Sequence, residues 1–289
     1  MAGNYLLWYI EEIKYGGTVL FIISMEEGDF LKKSICIETI FTEVPFEERF
    51  EVAKHNGFDY VEFWSWKDKD LDKIKQICEK TDIKISAFSG DQDYSLIDPN
   101  HSDRYISFIK ESIEAAKYLN CDILVIHSNA LGPEGQVIND YSDLSNMKKA
   151  GTALKVLKEL APIVEKENVT LVLEALNTKV DHEGNFLYTT KDSAELVELV
   201  DSQNIKILYD IYHMQIMEGD VIMTLQKYLD KMGYIHIADV PGRHEPGTGE
   251  INYANVMKTL RNINYSGFIG FELFPLNTSQ EAIKAIKEL

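Results

Sequence analysis

Four side chains able to hold a hard cation stand at or near the ends of β-like runs in the second half of the chain. They are Glu174 in TLVLEA, Asp210 in KILYD, His236 in YIHIAD and Glu272 in GFIGFE. Three carboxylates and one imidazole form an oxygen-rich donor set, which suits Mg²⁺, Mn²⁺ or Co²⁺ better than a thiolate-loving ion. Each acid alone reads as readily as a helix cap or a loop ion pair, and the histidine as a satisfied core residue. Four on consecutive runs point instead to one divalent metal ion.

Those runs belong to a longer alternation. The pattern predicts strands at 34–38, 60–64, 84–89, 123–128, 170–175, 206–210, 234–239 and 267–272. Helical stretches follow them at 45–55, 71–80, 102–119, 145–167, 191–201, 217–231, 253–262 and 279–288. In the third helix Tyr105, Ile106, Ile109, Ile113 and Ala116 keep helical spacing. Runs rich in Ile, Val and Leu that alternate with helices indicate a parallel sheet covered by helices. Eight such units in this length favour an α/β closed (β/α)8 TIM barrel over an open doubly wound sheet. GTG at 247–249 follows the seventh strand rather than the first, so no dinucleotide fingerprint supports the open sheet.

In a barrel the C-terminal strand ends converge on one mouth, and further residues are then candidates for it. His213, three residues after Asp210, is placed either to hydrogen-bond a substrate oxygen or to cap a helix. Arg243 shares the loop VPGRHEPGTGE with His244; it is set either to grip an anionic group or to pair with Glu245 or Glu250. His127 and Asn129 in HSNAL are pocket-lining candidates, and Trp64 and Trp66 in FWSW form either an apolar wall or packing beneath the rim. Glu38 and Glu62 are secondary mouth residues or interior partners.

The formal net charge of −18 disfavours a nucleic-acid backbone as ligand. Cys36, Cys78 and Cys121 cannot all pair and show no CxxC spacing, so a reducing cytoplasm is expected. No apolar run reaches the length of a membrane span. Residues 1–33 read as an N-terminal extension of uncertain structure before a single domain at 34–289. Met25 stands shortly before the first clear strand, and 1–24 are expected to carry no catalytic content.

The segments CIETIF, YVEFWSWKDKDL, HSNAL, LVLEALNTKVDHEGNFL, LYDIYHMQIMEGD, HIADVPGRHEPGTGEINY and GFELFP resemble the hydroxypyruvate isomerase-like branch of the xylose isomerase-like TIM barrels, over about residues 34–275. The resemblance implies a divalent metal held by Glu174, Asp210, His236 and Glu272. It implies Glu174 and Glu272 as the acid/base pair, Arg243 on a substrate carboxylate, His213 on a substrate oxygen, and His127 and Trp64 lining the pocket. The implied reaction is aldose–ketose isomerisation of hydroxypyruvate, or a similar small α-hydroxycarbonyl compound, through an enediolate. The implied partners are that small molecule and, as the family often shows, further copies of the chain. Two departures stand out: His236 occupies a position where those isomerases tend to show Gln and ketose 3-epimerases show His, and VDHEG puts His182 at a variable position of VDxPG. A ketose 3-epimerase is therefore the nearest alternative; an apurinic endonuclease and a non-catalytic sugar-binding protein are more distant ones.

Overall fold

The computed structural model describes residues 8–15, 18–25 and 31–289, and the chain divides into two compact units at Leu31/Lys32. In the first, β1 (Trp8–Tyr15) pairs antiparallel with β2 (Thr18–Met25), from Trp8 opposite Met25 to Tyr15 opposite Thr18. Residues 1–7, 16–17 and 26–30 of the expected extension lie outside the described residues.

The second unit is a closed parallel barrel. Its strands are β3 (Lys32–Cys36), β4 (Tyr60–Phe63), β5 (Lys84–Ser89), β6 (Ile123–His127), β7 (Thr170–Glu174), β8 (Ile205–Asp210), β9 (Met232–Ile237) and β10 (Phe268–Phe271). They neighbour one another in chain order, and β10 closes the ring against β3. The helices between them are α1 (Phe46–His55), α2 (Leu71–Thr81), α3 (Ser102–Tyr118), α4 (Asn146–Glu167), α5 (Thr190–Val200), α6 (Ile211–Met217), α7 (Val221–Tyr228), α8 (Tyr253–Asn262) and, after β10, α9 (Ser279–Lys287). This is the (β/α)8 architecture expected from the alternation. Among the described residues, no helix is long and apolar enough to cross a membrane.

Local chemistry sets the helix starts. Asp70, Ser145, Thr189, Asn252 and Thr278 each accept the backbone N–H three residues on, satisfying a donor that a helix N-terminus leaves open. The predicted face of α3, with Tyr105, Ile106, Ile109, Ile113 and Ala116, is buried.

One helix goes beyond the expected set after β8. The helix expected at 217–231 is present as α7 with a 3-10 turn at Leu229–Lys231, but a further helix, α6, precedes it and begins directly at Ile211. The reason is Asp210, whose Oδ1 accepts the backbone N–H of His213 at 3.1 Å and caps α6. Strand end and helix cap are therefore the same residue.

The strand period of two explains why function collects at one level. Ala87, Val125, Val172, Leu208 and Tyr234 form one buried layer. Two residues further along four of these strands, on the same inward face, stand His127, Glu174, Asp210 and His236. Pairing locks their heights: His127 lies opposite Glu174, and Asp210 opposite His236.

Candidate metal centre

Glu174, Asp210, His236 and Glu272 are all buried, and each offers a donor atom within 4.8 Å of the others. His236 Nδ1 lies 3.6 Å from Glu174 Oε1, 3.8 Å from Asp210 Oδ2 and 3.4 Å from Glu272 Oε2. Glu174 Oε1 and His236 Nδ1 are buried without a hydrogen-bond partner among the described residues. Buried polar atoms are rarely left unpaired, so orphaned donors turned toward a shared centre fit a cation, and the hard donor set favours a divalent one. Burial works against ionising Glu174, but the imidazoles of His127 and His236 hold its pKa well below the usual carboxylate range. Burial is likewise outweighed at Glu272, by the Arg243 guanidinium and His236. At Asp210 burial prevails, with its pKa pushed up to about 7.

Beneath the cluster lies Glu62, which the sequence left unassigned. Its Oε1 sits 3.2 Å from His236 Nε2, and its Oε2 accepts the hydroxyl of Tyr234. Tyr234 remains a donor because burial and the Glu62 charge raise its pKa well above the usual phenol value. Gly270 makes room: a Cβ there would collide with Glu62 Oε2 and lie 2.7 Å from His236 Cδ2. Glu62 Oε1 and His236 Nε2 are not in hydrogen-bond geometry, so Glu62 acts on the ring by its charge, leaving the other nitrogen to the cation site; a carboxylate behind a metal-binding histidine is a common arrangement. Glu62→Gln is expected to weaken Mn²⁺ binding about 10–100-fold. Calorimetric titration of the folded variant checks this, and an unchanged Kd would show that Glu62 does not act on His236.

Each glutamate has its remaining oxygens held in place. Glu174 Oε2 accepts His127 Nε2 at 3.1 Å, and His127 Nδ1 in turn meets Asp91 Oδ1 at 3.0 Å. Burial opposes charge on His127, but Asp91 and Glu174 push its pKa up to about 10. Asp91 was missed from the sequence; it sits in the loop after β5, outside any periodic pattern. Glu272 Oε1 accepts Trp64 Nε1–H at 2.6 Å, and Oε2 accepts from Arg243.

Arg243 is brought in by its loop. Asp239 anchors that loop by accepting the backbone N–H groups of Val240, Gly247, Gly249 and Ile251. A Cβ on Gly249 would collide with the Val240 carbonyl. Arg243 itself takes a left-handed backbone, φ 57°, which non-glycine residues adopt rarely and mostly where surrounding structure imposes it. Its N–H donates to Asp239 O, and its carbonyl accepts Phe274 N–H at 2.8 Å from the loop carrying Glu272. The guanidinium pairs with Glu272 and lies 3.7 Å from Asp210, so of the two readings the local pairing with Glu245 or Glu250 is not the one found. Glu245 accepts Leu276 N–H and Glu250 accepts Gln215. Arg243 Nε is buried without a hydrogen-bond partner among the described residues.

His213 is fully buried beside Asp210, and its tautomer follows from its neighbours. Asn177 Oδ1 accepts Val180 and Asp181 N–H, both at 3.0 Å, which fixes the amide orientation. Its Nδ2 then donates to His213 Nδ1 at 2.7 Å, as does its backbone N–H at 3.3 Å. Nδ1 is the acceptor, so the ring proton is on Nε2, 3.7 Å from Asp210 Oδ2. Burial first, then Arg243, keeps the His213 pKa well below the usual imidazole range. The ring is a neutral donor.

The remaining candidates separate. Trp64 stands at the rim, whereas Trp66 turns away, donating to Ser112 Oγ at 2.8 Å and packing on Phe108. Asn129 is a loop tie, bonded to Asn139 O and Phe186 N–H. His244 donates to Phe274 O, and Glu38 pairs with Lys69 at 2.7 Å.

Fold and cluster together define a (β/α)8 barrel with a metal-competent mouth. The family described as xylose isomerase-like TIM barrel matches residues 50–289. The chain is 30% identical to the hydroxypyruvate isomerase of Escherichia coli K12, over 88% of this chain and 97% of that one. It is 33% identical to the 2-oxo-tetronate isomerase of Haemophilus influenzae, over 82% and 90% respectively. Among solved structures, an AP endonuclease, family 2, from Brucella melitensis superposes with a TM-score of 0.82 at 25% identity, covering 89% of this chain and 98% of that one. The chain belongs to the xylose isomerase-like TIM barrel family.

Proposed function

We propose that this protein is an isomerase that moves a proton between adjacent carbons of a short α-hydroxy-2-oxo acid, using one divalent cation held by Glu174, Asp210, His236 and Glu272. The observation that carries this reading is their convergence, with Glu174 Oε1 and His236 Nδ1 buried and unpartnered. The names of the relatives support it, since both specify isomerases of small oxo acids. When bound, the cation supplies positive charge beside the carbonyl and hydroxyl oxygens of the substrate and so acidifies the C–H between them.

The side chains do the rest. One of Glu174 and Glu272 takes the proton from the hydroxyl-bearing carbon, and the C–H electron pair becomes the double bond of the substrate's enediolate. The other glutamate, ionised at rest, takes a proton from solvent and delivers it to the former carbonyl carbon while the first releases its own to solvent, and the hydroxyl proton passes from one oxygen to the other. For hydroxypyruvate, C3 loses the proton and C2 gains it, giving 2-hydroxy-3-oxopropanoate. His213 donates Nε2–H to a substrate oxygen, and His127 holds Glu174 so that Oε1 faces the centre. Trp64 Nε1–H steadies Glu272 and its ring shelters the rim.

Arg243, with Nε–H unpartnered, grips the substrate carboxylate. Arg243→Ala is expected to raise KM for hydroxypyruvate about 10–100-fold, the worth of one or two charged hydrogen bonds. Steady-state kinetics checks this. A ketose has no carboxylate, so a kcat/KM within threefold of the parent's would favour a ketose 3-epimerase, the reading that His236 in place of Gln also favours. A DNA substrate fits poorly with a net charge of −18.

A further inference from the structure

The barrel interior beneath the cation cluster carries hydroxyl groups where packing alone would favour apolar ones. Ser34 on β3, Ser86 on β5 and Tyr234 on β9 are each at most 2% exposed, and Tyr234 belongs to a layer otherwise made of Ala87, Val125, Val172 and Leu208. Burying a hydroxyl is costly unless it is hydrogen-bonded. These three are joined in a file that ends on Glu62. Ser34 Oγ lies 2.6 Å from Ser86 Oγ, Ser86 Oγ lies 2.8 Å from the Tyr234 hydroxyl, and the Tyr234 hydroxyl reaches Glu62 Oε2.

The direction of each proton in the file follows from its end. An ionised carboxylate only accepts, so the Tyr234 proton lies between Tyr234 and Glu62. The Tyr234 oxygen then accepts from Ser86, and Ser86, its one proton given, accepts from Ser34. The Val61 carbonyl, 3.1 Å from Ser86 Oγ, is the more distant acceptor for the same Ser86 proton. Hydrogen bonds aligned in one sense polarise one another, and these three point their positive ends at Glu62. Among the described residues the Tyr234 hydroxyl is the only hydrogen-bond donor to that carboxylate, since Oε1 has no hydrogen-bond partner.

On the reading above that Glu174, Asp210, His236 and Glu272 hold a divalent cation, we propose that Tyr234, backed by Ser86 and Ser34, is a positioning residue of that centre. The hydroxyl file holds the Glu62 carboxylate 3.2 Å from His236 Nε2, where its charge acts through the ring on the cation side. Without the file Glu62 keeps its charge and loses its fixed place. The Tyr234 ring also stands edge-to-face to His236, with centroids 5.4 Å apart, so Tyr234→Phe keeps that packing and removes the hydroxyl alone.

Calorimetric Mn²⁺ titration of the full chain tests this as a double-mutant cycle of the parent, Tyr234→Phe, Glu62→Gln and the two combined. Tyr234→Phe is expected to raise the Mn²⁺ Kd about tenfold in the parent and less than about twofold beside Glu62→Gln, because the file acts only through that carboxylate. Ser86→Ala, one link further back, is expected to raise it about threefold with the same dependence on Glu62, and it carries the test if Tyr234→Phe does not fold. Tyr265→Phe is the control. It removes another buried phenol hydroxyl, bonded to Phe268 O at 2.9 Å, and should leave Kd unchanged, whereas a role limited to stability would move both Tyr variants alike. A parent-like Kd in folded Tyr234→Phe, an equal rise in Tyr265→Phe, or an undiminished effect beside Glu62→Gln would overturn the assignment of Tyr234 and leave the cation reading standing. A parent that binds none of Mn²⁺, Mg²⁺ and Co²⁺ would overturn both.

Discussion

Glu272→Gln is expected to lower the isomerisation rate about 1,000-fold or more while leaving the barrel folded. The substitution removes a carboxylate assigned to proton transfer, and such groups contribute about 10²–10⁴-fold to rate. It also disturbs the binding of both oxygens. Oε1 accepts Trp64 Nε1–H and Oε2 accepts from Arg243, so whichever way the amide turns, its NH2 group faces a donor. The loss should appear in kcat, because the group acts on the transition state, with the melting temperature measured alongside to exclude unfolding. A loss of less than tenfold in a folded variant would remove Glu272 from the proton-transfer pair.

Chelation should have an effect of similar size and, unlike the substitution, should reverse. With EDTA, turnover is expected to fall to the spontaneous rate, and Mg²⁺, Mn²⁺ or Co²⁺ should restore it. The stability argument is independent of catalysis. Glu174, Asp210 and Glu272 bring three carboxyl groups to one buried point, where like charges repel, and a cation that binds only the folded chain relieves this. At a hundred times its Kd a ligand stabilises by about 2.7 kcal/mol, which for a barrel of this size raises Tm by about 5–10 °C. Calorimetric scans with and without each ion check this. An unchanged Tm with all three would mean that the cluster holds none of them.

The barrel was legible because its signal is repetitive. Each strand–helix unit repeats the same change of period, and the four candidate ligands sit at matching places in consecutive units. What escaped depended on where a strand stops or on pairing between distant loops. Trp64 and Trp66 share parity, which would align them only if β4 continued; it ends at Phe63, and Trp66 turns to Ser112. Glu38 is two residues past the end of β3 and pairs with Lys69 for the same reason. α6 was missed because Asp210 serves as its cap, a role invisible once the residue is read as a strand end. The Asp91–His127 and Arg243–Glu272 pairs join a loop to a strand end or another loop far away in the chain, and Arg243 depends on a left-handed backbone held by Asp239. Gly270 was visible as a glycine inside a strand, but only the position of Glu62 explains why a side chain would not fit there.

The most direct measurement is proton NMR in D₂O of hydroxypyruvate and of 3,4-dihydroxy-2-oxobutanoate with the Mg²⁺-loaded protein, alongside EDTA-treated and Glu272→Gln controls. The expected result is cation-dependent formation of the isomeric product, an aldehyde in the case of hydroxypyruvate, with deuterium entering at C2. Absence of product and of exchange above the controls for both acids, in protein shown to hold a divalent ion, would contradict proton transfer at this site on 2-oxo acids.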